Sequence, residues 1–461
     1  MKILLVAPPA SEKFPSVSRV PPLGLAYLAA VMEKNGHIVR IFDASVEDLT
    51  LEQIAEKILA SPADVVGFTA MTSNYPQAER IVKLLKERGL KAPVVIGGSH
   101  ATFMANDVLG HGFDFAVRGE GEQTFLELCT ELQGGQNFRK IDGLSFKENG
   151  AVVNNPDRKF IQNLDELPIP AYHLINLGKY QRKAPPSNVR GEPWVSYSSS
   201  RGCPFGCFFC SVTHFWGRIW RGHSAKRVAG DIEYLVKKYG VKCVFFVDDN
   251  FTFRRERIIE LCELLKEKNL GIEWSCSCRV DQVDEDLLRN MKSAGCWRIG
   301  FGIEAGTQKV LDWYGKKITA ERAVEAIRMC RKAGISPFCF FILGAPIESE
   351  EDIKQTMNVM KKINADIVGI SFLTPFPGSK LYEYVLENDL LLTKDFRDFA
   401  EDVPVIKGTL PLEKLNELSR RAYREFYFRP QYIISQLPYI MKNPSLAFRG
   451  FRTITGWVRR K

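Results

Sequence analysis

The sequence has no long hydrophobic run. Of its 461 residues, 45% are hydrophobic and 25% are charged, which is typical of a soluble globular protein. No stretch approaches the ~20 apolar residues that a membrane-spanning helix needs, and no internal repeat of short period is visible. A chain of this length is expected to form roughly two to four domains.

The sequence also predicts no export signal. The apolar run at residues 1–9 is too short for a signal peptide, and the two prolines and the charges after it fit a first strand that enters a loop. In a chain that stays inside the cell, the eleven cysteines indicate a reducing compartment, where disulfides are not expected and metal ligation is allowed. We therefore predict a cytoplasmic protein.

A fourth cysteine is missing from the most informative motif. Cys203, Cys207 and Cys210 have the spacing C-x3-C-x2-C, and thiolates bind soft metals and iron–sulfur clusters. Three thiolates leave one iron of a [4Fe–4S] cluster without a protein ligand, so another molecule can bind there. Two alternatives stay open: a chance grouping of core cysteines, and a zinc site, which needs a fourth ligand and more often uses C-x2-C pairs.

Strands and helices alternate over residues 1–135, which predicts a doubly wound parallel α/β sheet of the flavodoxin or Rossmann type. The predicted strands are Ile3–Ala7, Val39–Phe42, Asp64–Thr69, Pro93–Ile96 and Phe113–Val117. Ligands of such sheets bind beyond the carboxyl ends of the strands. Polar and glycine-rich loops lie at these ends, at Thr69–Thr72, Gly97–His100 and Gly119–Glu122.

A second series of strand–helix units occupies residues 193–390. Before it, residues 136–192 are rich in proline and contain one predicted hairpin at Glu148–Gly150, which indicates a linker. The strands predicted after the linker are Val195–Ser198, Cys243–Val247, Glu273–Cys278, Arg298–Ile303, Pro337–Leu343 and Ile367–Phe372. Six β/α units make an incomplete version of the eight-unit barrel. Residues 391–461 are predicted to form a helical extension, with a helix at Leu412–Tyr427.

The cysteine motif, with the aromatic Phe209 directly before its third cysteine, resembles the signature of the radical S-adenosylmethionine (radical SAM) superfamily. The resemblance implies that Cys203, Cys207 and Cys210 are catalytic and hold a [4Fe–4S] cluster, whose open iron chelates the amine and carboxylate of SAM. One electron then cleaves SAM to methionine and a 5′-deoxyadenosyl radical, which abstracts hydrogen from the substrate. The resemblance also implies an electron donor such as flavodoxin or ferredoxin, and it places Phe209 beside SAM.

Groups suited to SAM end the later strands of the predicted barrel. Arg279 ends the third strand and is predicted to pair with the methionine carboxylate, because a guanidinium matches a carboxylate bidentately. Glu304 ends the fourth strand and is predicted to hold a ribose hydroxyl or the amine. Gly344 ends the fifth, where a backbone without a side chain lets adenine approach closely. Taken alone, the arginine and the glutamate also fit purely structural ion pairs.

The first domain resembles that of the cobalamin-binding subgroup of radical SAM enzymes, on the segments Val95–Ala101 and Val117–Glu122. Glycine loops at a sheet edge would let the corrin ring approach the backbone. The implied cobalamin contacts are Thr69, Thr72, Gly97, Gly98, His100, Gly119 and Glu120. The D-x-H-x-x-G signature, whose histidine ligates cobalt in many cobalamin proteins, is absent, which implies that cobalt has no protein ligand on that side, or water. A domain that binds no cofactor and a flavodoxin-like FMN site stay open as alternatives.

Together, the two resemblances imply an enzyme with a [4Fe–4S] cluster, SAM and cobalamin as cofactors. Its predicted reaction is methylation of a carbon centre. One alternative is oxidative cyclisation or rearrangement, as in the anaerobic magnesium-protoporphyrin ester cyclase that this layout also resembles. The other is an enzymatically silent cobalamin-binding scaffold or sensor, which would predict missing cluster cysteines, whereas all three are present.

The C-terminal segment is basic and aromatic. Its basic residues, with no acid among them, are Lys442, Arg449, Arg452, Arg459, Arg460 and Lys461. Such a segment can lie on an anionic membrane surface, at the inner face of the membrane, or pack as a helix on its own domain. Nucleic acid is a less favoured partner, because no RNA-binding module is recognisable. The predicted substrate is a small or lipid-like molecule.

Overall fold

The computed structural model describes residues 1–11, 20–182 and 186–434. The basic and aromatic segment predicted at the C-terminus lies, from residue 435 onward, outside the described residues. Within the described ranges, no helix is both long and apolar enough to cross a lipid bilayer.

The first domain is built on a seven-stranded sheet. Its strands are β1 (Lys2–Ala7), β2 (Ile38–Asp43), β3 (Val65–Thr69), β4 (Val94–Gly97), β5 (Phe115–Val117), β6 (Leu144–Glu148) and β7 (Ala151–Asn154). The strand order is β2-β1-β3-β4-β5-β6-β7. The first five strands are parallel, and β6 and β7 continue the sheet as an antiparallel hairpin. This arrangement confirms the predicted doubly wound domain.

Helices cover both faces of this sheet. They are α1 (Leu23–Lys34), α2 (Leu51–Leu59), α3 (Tyr75–Glu87), α4 (Ser99–Phe103), α5 (Ala105–Gly110) and α6 (Gly121–Thr130). Separate apolar clusters fill the two faces, as expected of a parallel sheet. Local sequence fixes some of the helix ends: α2, for example, begins with a capping box between Thr50 and Gln53.

The hairpin predicted at Glu148–Gly150 forms, but it does not belong to a free linker. Its first strand, β6, pairs with β5 of the first sheet. The stretch that the sequence analysis assigns to a linker, 136–192, therefore adds two strands to the first domain before it continues to a short helix, α7 (Leu177–Arg182). The sequence predicts the hairpin turn, but it does not predict that the hairpin pairs with β5. The exact domain boundaries stay a prediction.

The second domain is the predicted partial barrel. It starts with β8 (Trp194–Tyr197), and a short ladder of β9 (Ser200–Arg201) and β10 (Arg221–Gly222) flanks the cysteine motif. The remaining strands are β11 (Cys243–Phe246), β12 (Glu273–Cys278), β13 (Cys296–Glu304), β14 (Ser336–Leu343) and β15 (Ile367–Phe372). Strands β8 and β11–β15 form one parallel sheet in chain order, so every predicted barrel strand is present.

Helices connect the barrel strands and follow the last one. They are α8 (Val212–Phe215), α9 (Ala225–Tyr239), α10 (Arg255–Lys268), α11 (Glu285–Ser293), α12 (Gln308–Trp313), α13 (Ala320–Lys332), α14 (Glu350–Ile363), α15 (Lys380–Glu387) and α16 (Leu412–Tyr427). Helix α16 occupies the residues that the sequence predicts.

Helix α16 covers the open edge of the barrel. An unclosed sheet leaves backbone groups of its edge strands without partners. The Tyr423 hydroxyl lies 2.9 Å from the N of Ile370 and 3.1 Å from its O, and the Tyr427 hydroxyl lies 3.0 and 2.9 Å from the same atoms of Val368. Four helical residues rise about 6 Å, close to the rise of two strand residues, so the two tyrosines match alternate residues of β15.

We expect Tyr423→Phe and Tyr427→Phe each to lower the free energy of unfolding by about 1–3 kcal/mol, because each leaves a buried N–H and C=O of β15 unpaired. Urea unfolding followed by circular dichroism measures the loss. The control is Tyr234→Phe, which removes an exposed hydroxyl and should change the free energy by less than about 0.5 kcal/mol. Equal effects for all three variants would contradict the edge-capping role.

Candidate active site

The cysteine motif lies in a loop whose backbone is fixed at several points. Gly202, before the first cysteine, has φ +90°, and a Cβ there would collide with the carbonyl oxygen of Ile219. The Gly202 N–H donates to the Asp249 carboxylate at 3.0 Å. Further along, the Phe208 N–H donates to the Tyr314 carbonyl at 2.8 Å, and the Leu381 N–H donates to the Phe208 carbonyl at 3.0 Å. The loop is thus held by three separate parts of the barrel.

All three cysteines of the loop are partly exposed. Burial raises the pKa of the Cys210 thiol to about 12 and also raises that of Cys203, and the neighbouring Cys207 and Asp249 add to both increases. Because thiolates are the metal-binding form, cluster assembly must release these protons. The donor set, three thiols in one fixed loop, fits an iron–sulfur cluster.

The zinc alternative has no geometric support. A structural zinc site holds four ligands around one ion. In residues 1–11, 20–182 and 186–434, no group of three or more His, Cys, Asp or Glu side chains is placed to hold a single metal ion. The cysteines that hold one iron–sulfur cluster each bind a different iron. Their sulfur atoms therefore need not lie as close together as the ligands of a single zinc ion.

Arg279, a predicted SAM contact, already has protein partners. Its guanidinium binds Asp281 through two bonds of 2.9 Å and donates to the Lys316 carbonyl at 2.8 Å. It also stacks on Phe205 of the cluster loop, with 3.8 Å between the guanidinium carbon and the ring centre. Phe209 packs against Tyr314, with 5.2 Å between ring centres. Both residues therefore lie at the cluster loop, and their contacts with SAM stay a prediction.

Glu304 forms a buried ion pair that the sequence does not reveal. Its carboxylate lies 2.6 Å from the ammonium of Lys316, and both side chains are 8% exposed. Burial disfavours the charged lysine, but Glu304 and then Cys207 act on it electrostatically, and the net result is a raised pKa for Lys316. A lysine charge therefore lies beside the cluster loop. No local sequence pattern marks this residue.

Gly344, the third predicted SAM contact, follows β14 in a turn fixed by Glu348. The Gly344 N–H donates to the Glu348 carboxylate at 2.6 Å, and the Ala345 N–H donates at 3.3 Å. Burial raises the pKa of Glu348 to about 7. A Cβ on Gly344 would lie 2.9 Å from the Leu415 side chain of α16, so the glycine makes room for this helix, and its contact with adenine stays a prediction.

A cavity of about 330 Å³ lies between the two domains, within the size range of ligand pockets. On the side of the first domain it is lined by the carboxyl ends of β3, β4 and β5. Of the predicted cobalamin contacts, this edge contributes Thr69, Gly97, Gly98, Gly119 and Glu120. On the barrel side the lining includes Arg201, Trp216 and Asp249. An added Cβ on Gly119 would meet nothing within 4 Å, and one on Gly97 would meet its first neighbour at 3.7 Å, so a bound ring could approach the backbone of both loops closely.

His100 and Thr72 are not part of this lining. His100 is fully buried; its Nδ1 lies 3.1 Å from the Thr72 hydroxyl, and its ring stacks on Tyr75 with 4.1 Å between centres. Burial lowers the pKa of His100 to about 3, so the ring is neutral. The structure brings the two residues together behind the glycine loop, and a contact with the cobalamin tail stays a prediction.

Four buried charged side chains join the domains beside the cavity. Arg201 binds Glu120 at 2.5 Å and Glu122 at 2.6 Å, and Arg221 binds Glu120 at 2.9 Å. All four side chains are at most 10% exposed. The Ile161 N–H donates to Glu120 at 2.7 Å, and Arg221 donates to the Ile161 carbonyl at 2.6 Å. We call Glu120, Glu122, Arg201 and Arg221 the interdomain ion-pair network.

The sequence analysis predicts that Glu120 contacts cobalamin, but in the structure its side chain belongs to the interdomain ion-pair network. Its carboxylate is engaged by two arginines and one backbone N–H. A direct bond from this carboxylate to cobalamin would have to compete with those partners. The sequence does not predict that Arg201 and Arg221 bind Glu120, because they lie 81 and 101 residues away from it along the chain. One local signal was available: Arg201 stands two residues before the first cluster cysteine.

The fold and the cluster loop define a radical SAM enzyme. The family model for the radical SAM superfamily matches residues 197–360, and the model for the B12 binding domain matches residues 15–129. The chain belongs to the radical SAM superfamily, in the group that carries a B12 binding domain. A radical SAM domain uses a [4Fe–4S] cluster and SAM, and the B12 binding domain adds cobalamin; these are the cofactors of the chain.

Two relatives in sequence support this assignment, and a solved structure shows the same fold. A protein of Pyrococcus horikoshii, named as an uncharacterized methyltransferase, is 39% identical over 442 residues, which are 95% of each chain. The anaerobic magnesium-protoporphyrin IX monomethyl ester cyclase of Rubrivivax gelatinosus is 33% identical over 424 residues, 90% of this chain and 75% of the cyclase. The solved structure of the cobalamin-dependent radical enzyme OxsB has the same fold, with a TM-score of 0.76 at 19% identity over 96% of this chain and 71% of OxsB.

We expect Glu122→Gln to lower the free energy of unfolding by about 1.5–3 kcal/mol, because it removes a buried charge-assisted bond to Arg201. Urea unfolding of the full chain measures the loss, which should persist at high salt because the pair is buried. The matched control is Glu148→Gln, which breaks a more exposed pair with Arg139 and should cost about 0–1 kcal/mol. A loss that high salt abolishes would contradict a buried network.

Proposed function

We propose that the protein methylates a carbon atom of a small, mainly apolar molecule. When bound, the cluster and SAM supply the radical that removes hydrogen from the substrate, and cobalamin supplies the methyl group. The observation that carries the proposal is the shared cavity: its lining joins the glycine-rich edge of the B12 binding domain to Arg201 and Asp249, next to the cluster loop.

The residues of the chain contribute position and shielding. Asp249 lines the cavity and binds the backbone of Gly202, so one side chain touches both the cavity and the cluster loop. The interdomain ion-pair network holds the two domains against each other. Apolar side chains such as Phe215 and Trp216 line the same space and limit access of water to reactive species.

Methyl transfer is favoured over cyclisation by the first of the relatives, which is named a methyltransferase and is similar over nearly its whole length. The cyclase, at lower identity, keeps oxidative cyclisation as the second candidate. Both reactions need the same cluster loop and the same cavity. Their products differ, because only methylation adds a carbon from SAM to the substrate.

We further propose that the electron comes from flavodoxin or ferredoxin. The chain has a formal net charge of +9 at pH 7, and an acidic donor would be attracted to a basic protein.

The test supplies anaerobically reconstituted protein with cobalamin, a reduced flavodoxin, SAM carrying a labelled methyl group, and a cell extract as substrate source. We expect 5′-deoxyadenosine and a labelled small molecule from the wild type, and neither from Cys207→Ala. Cys262→Ala, which changes a buried cysteine on α10, should retain both. Formation of 5′-deoxyadenosine without label in any product would favour cyclisation or rearrangement over methylation.

We also propose that the C-terminal segment contacts an anionic membrane surface. The last described residues support this: Phe428, Ile433 and Ile434 are 51%, 46% and 65% exposed, and the sequence beyond them is basic and aromatic. Exposed apolar side chains next to basic residues suit the boundary of an anionic bilayer.

Flotation with vesicles tests this contact. The full chain should float with vesicles that contain phosphatidylserine and less with vesicles of phosphatidylcholine alone, because the attraction is partly electrostatic. Protein truncated after residue 434 should stay at the bottom of the gradient with both. Equal flotation of the full and truncated chains would assign any membrane contact to another surface, and no flotation of the full chain would reject membrane contact.

A further inference from the structure

The tip of the cluster loop reaches the surface of the protein. Gly206, between the first and second cluster cysteines, is exposed, and its neighbours Phe205 and Cys207 are partly exposed. The segment after α12 packs beside this tip, because a Cβ on Gly315 would lie 3.5 Å from the Gly206 carbonyl oxygen. The backbone that carries the cysteines is therefore accessible from outside the protein at this point.

Two long cationic side chains flank the tip. The Arg218 guanidinium lies against Gly206, and a Cβ on that glycine would collide with it. On the segment after α12, Lys317 follows two residues after Gly315, the residue that packs beside the tip. The side chains of Arg218 and Lys317 are both exposed. The exposed part of the cluster loop thus lies between two positive charges.

Arg218 and Lys317 share an unusual backbone conformation. Their φ angles are +58° and +54°, in the left-handed region that glycine and asparagine adopt more easily than other residues. Asparagines occupy this region elsewhere in the chain, at Asn149, Asn269 and Asn364. Strained residues of this kind cluster at functional sites. A long cation at both positions beside the cluster loop therefore indicates a role for the side chains themselves.

Arg254 adds a third exposed cation beside the same loop. Its guanidinium carbon lies 5.6 Å from the centre of the Phe253 ring. That ring meets the ring of Phe205 edge to face, with 6.3 Å between centres, and Phe205 directly precedes Gly206. Cations from three separate segments thus lie around the tip. We call Arg218, Arg254 and Lys317 the basic rim.

Acids of the protein do not neutralise the basic rim. The cations next to it in sequence are neutralised: Arg255 binds two acids at the start of α11, and Lys316 binds the acid at the end of β13. The three rim cations, by contrast, form no ion pair within residues 1–11, 20–182 and 186–434. Unpaired charges of one sign on one surface attract a partner of the opposite sign.

The basic rim and the cavity meet different parts of the cluster loop. Asp249 lines the cavity and binds Gly202, at the start of the loop, whereas the rim lies at Gly206, at the tip of the loop. None of the three rim residues lines the cavity. A protein bound at the rim therefore leaves the cavity to small ligands, as an electron donor to this enzyme has to.

We propose that the basic rim is the docking surface of an acidic electron-carrier protein, which passes its electron to the cluster at the tip of the loop. The proposal rests on the proposed function, because it names the surface that meets the electron donor. With flavodoxin as donor, one electron leaves the anionic flavin hydroquinone, which becomes the neutral semiquinone, and no bond of the chain forms or breaks. Contacts between electron-transfer partners are small, and a few charges can therefore direct them.

The test compares two reductants on the anaerobic holoenzyme with cluster, SAM and cobalamin. Reduced flavodoxin has to dock, whereas dithionite does not, and 5′-deoxyadenosine is measured with each. We expect Arg218→Asn with Lys317→Asn to lower the ratio of the flavodoxin-driven to the dithionite-driven rate about tenfold at low salt, through a higher KM for flavodoxin. Asparagine removes the charge and tolerates the left-handed backbone. Arg254→Gln alone should lower the ratio about threefold.

The control is Lys91→Asn, which removes an exposed lysine before the amino end of β4 and should keep the ratio. High salt should lower the wild-type ratio toward that of the double variant. An unchanged ratio in the double variant, or an equal fall in Lys91→Asn, would overturn the docking surface. Loss of iron from the double variant would also overturn it, because the cations would then stabilise the cluster. If the wild type cleaves no SAM even with dithionite, the radical function itself is wrong, and the docking surface with it.

Discussion

The geometry of the active site depends on four buried charges at the junction of the two domains. Glu120 and Glu122 belong to the loop and helix that end the parallel part of the first sheet, and Arg201 and Arg221 belong to the ladder that flanks the cluster loop. Burying charges is costly, and a well-packed apolar junction could be as stable. Ion pairs of fixed geometry, however, allow few alternative docking positions. We infer that the network sets the position of the B12 binding domain over the cluster loop.

The second constraint is the open barrel. A sheet of six strands leaves β8 and β15 as edges, and α16 satisfies the outer edge of β15 with two tyrosine hydroxyls. The segment between α15 and α16 also contacts this strand, because the Phe372 N–H donates to the Glu401 carbonyl at 2.7 Å. The C-terminal extension therefore completes the edge of the barrel sheet.

Much of the fold is readable from the sequence, because local patterns determine it. Strands β12 and β15 and helix α16 start and end at the predicted residues, since their alternating or helical periods and their turn residues are local. The cysteine motif and the glycine loops were readable for the same reason. Two other features depend on contacts between separate segments of the chain. They are the pairing of the hairpin β6–β7 with β5 and the ion pair of Glu304 with Lys316. No local pattern encodes those contacts.

In the candidate site, too, the sequence predicts the local features but not the contacts between distant segments. The cluster loop and most of the glycine-rich lining were predicted, whereas the arginines that occupy Glu120 and the burial of His100 behind Tyr75 were not. The sequence around a loop histidine or a loop glutamate does not show whether its side chain faces a ligand or the protein. Tertiary packing decides between these two possibilities. In this protein Glu120 binds two arginines, and the ring of His100 stacks on Tyr75.

The central claim is that the two domains hold cobalamin and the cluster at one shared cavity. Electron paramagnetic resonance of the fully loaded protein tests it most directly, with cobalt and the reduced cluster both in paramagnetic states. The account predicts that each signal is broadened by magnetic coupling to the other, and that the coupling weakens when Glu122→Gln loosens the junction. A spectrum equal to the sum of the spectra of singly loaded proteins would contradict the claim.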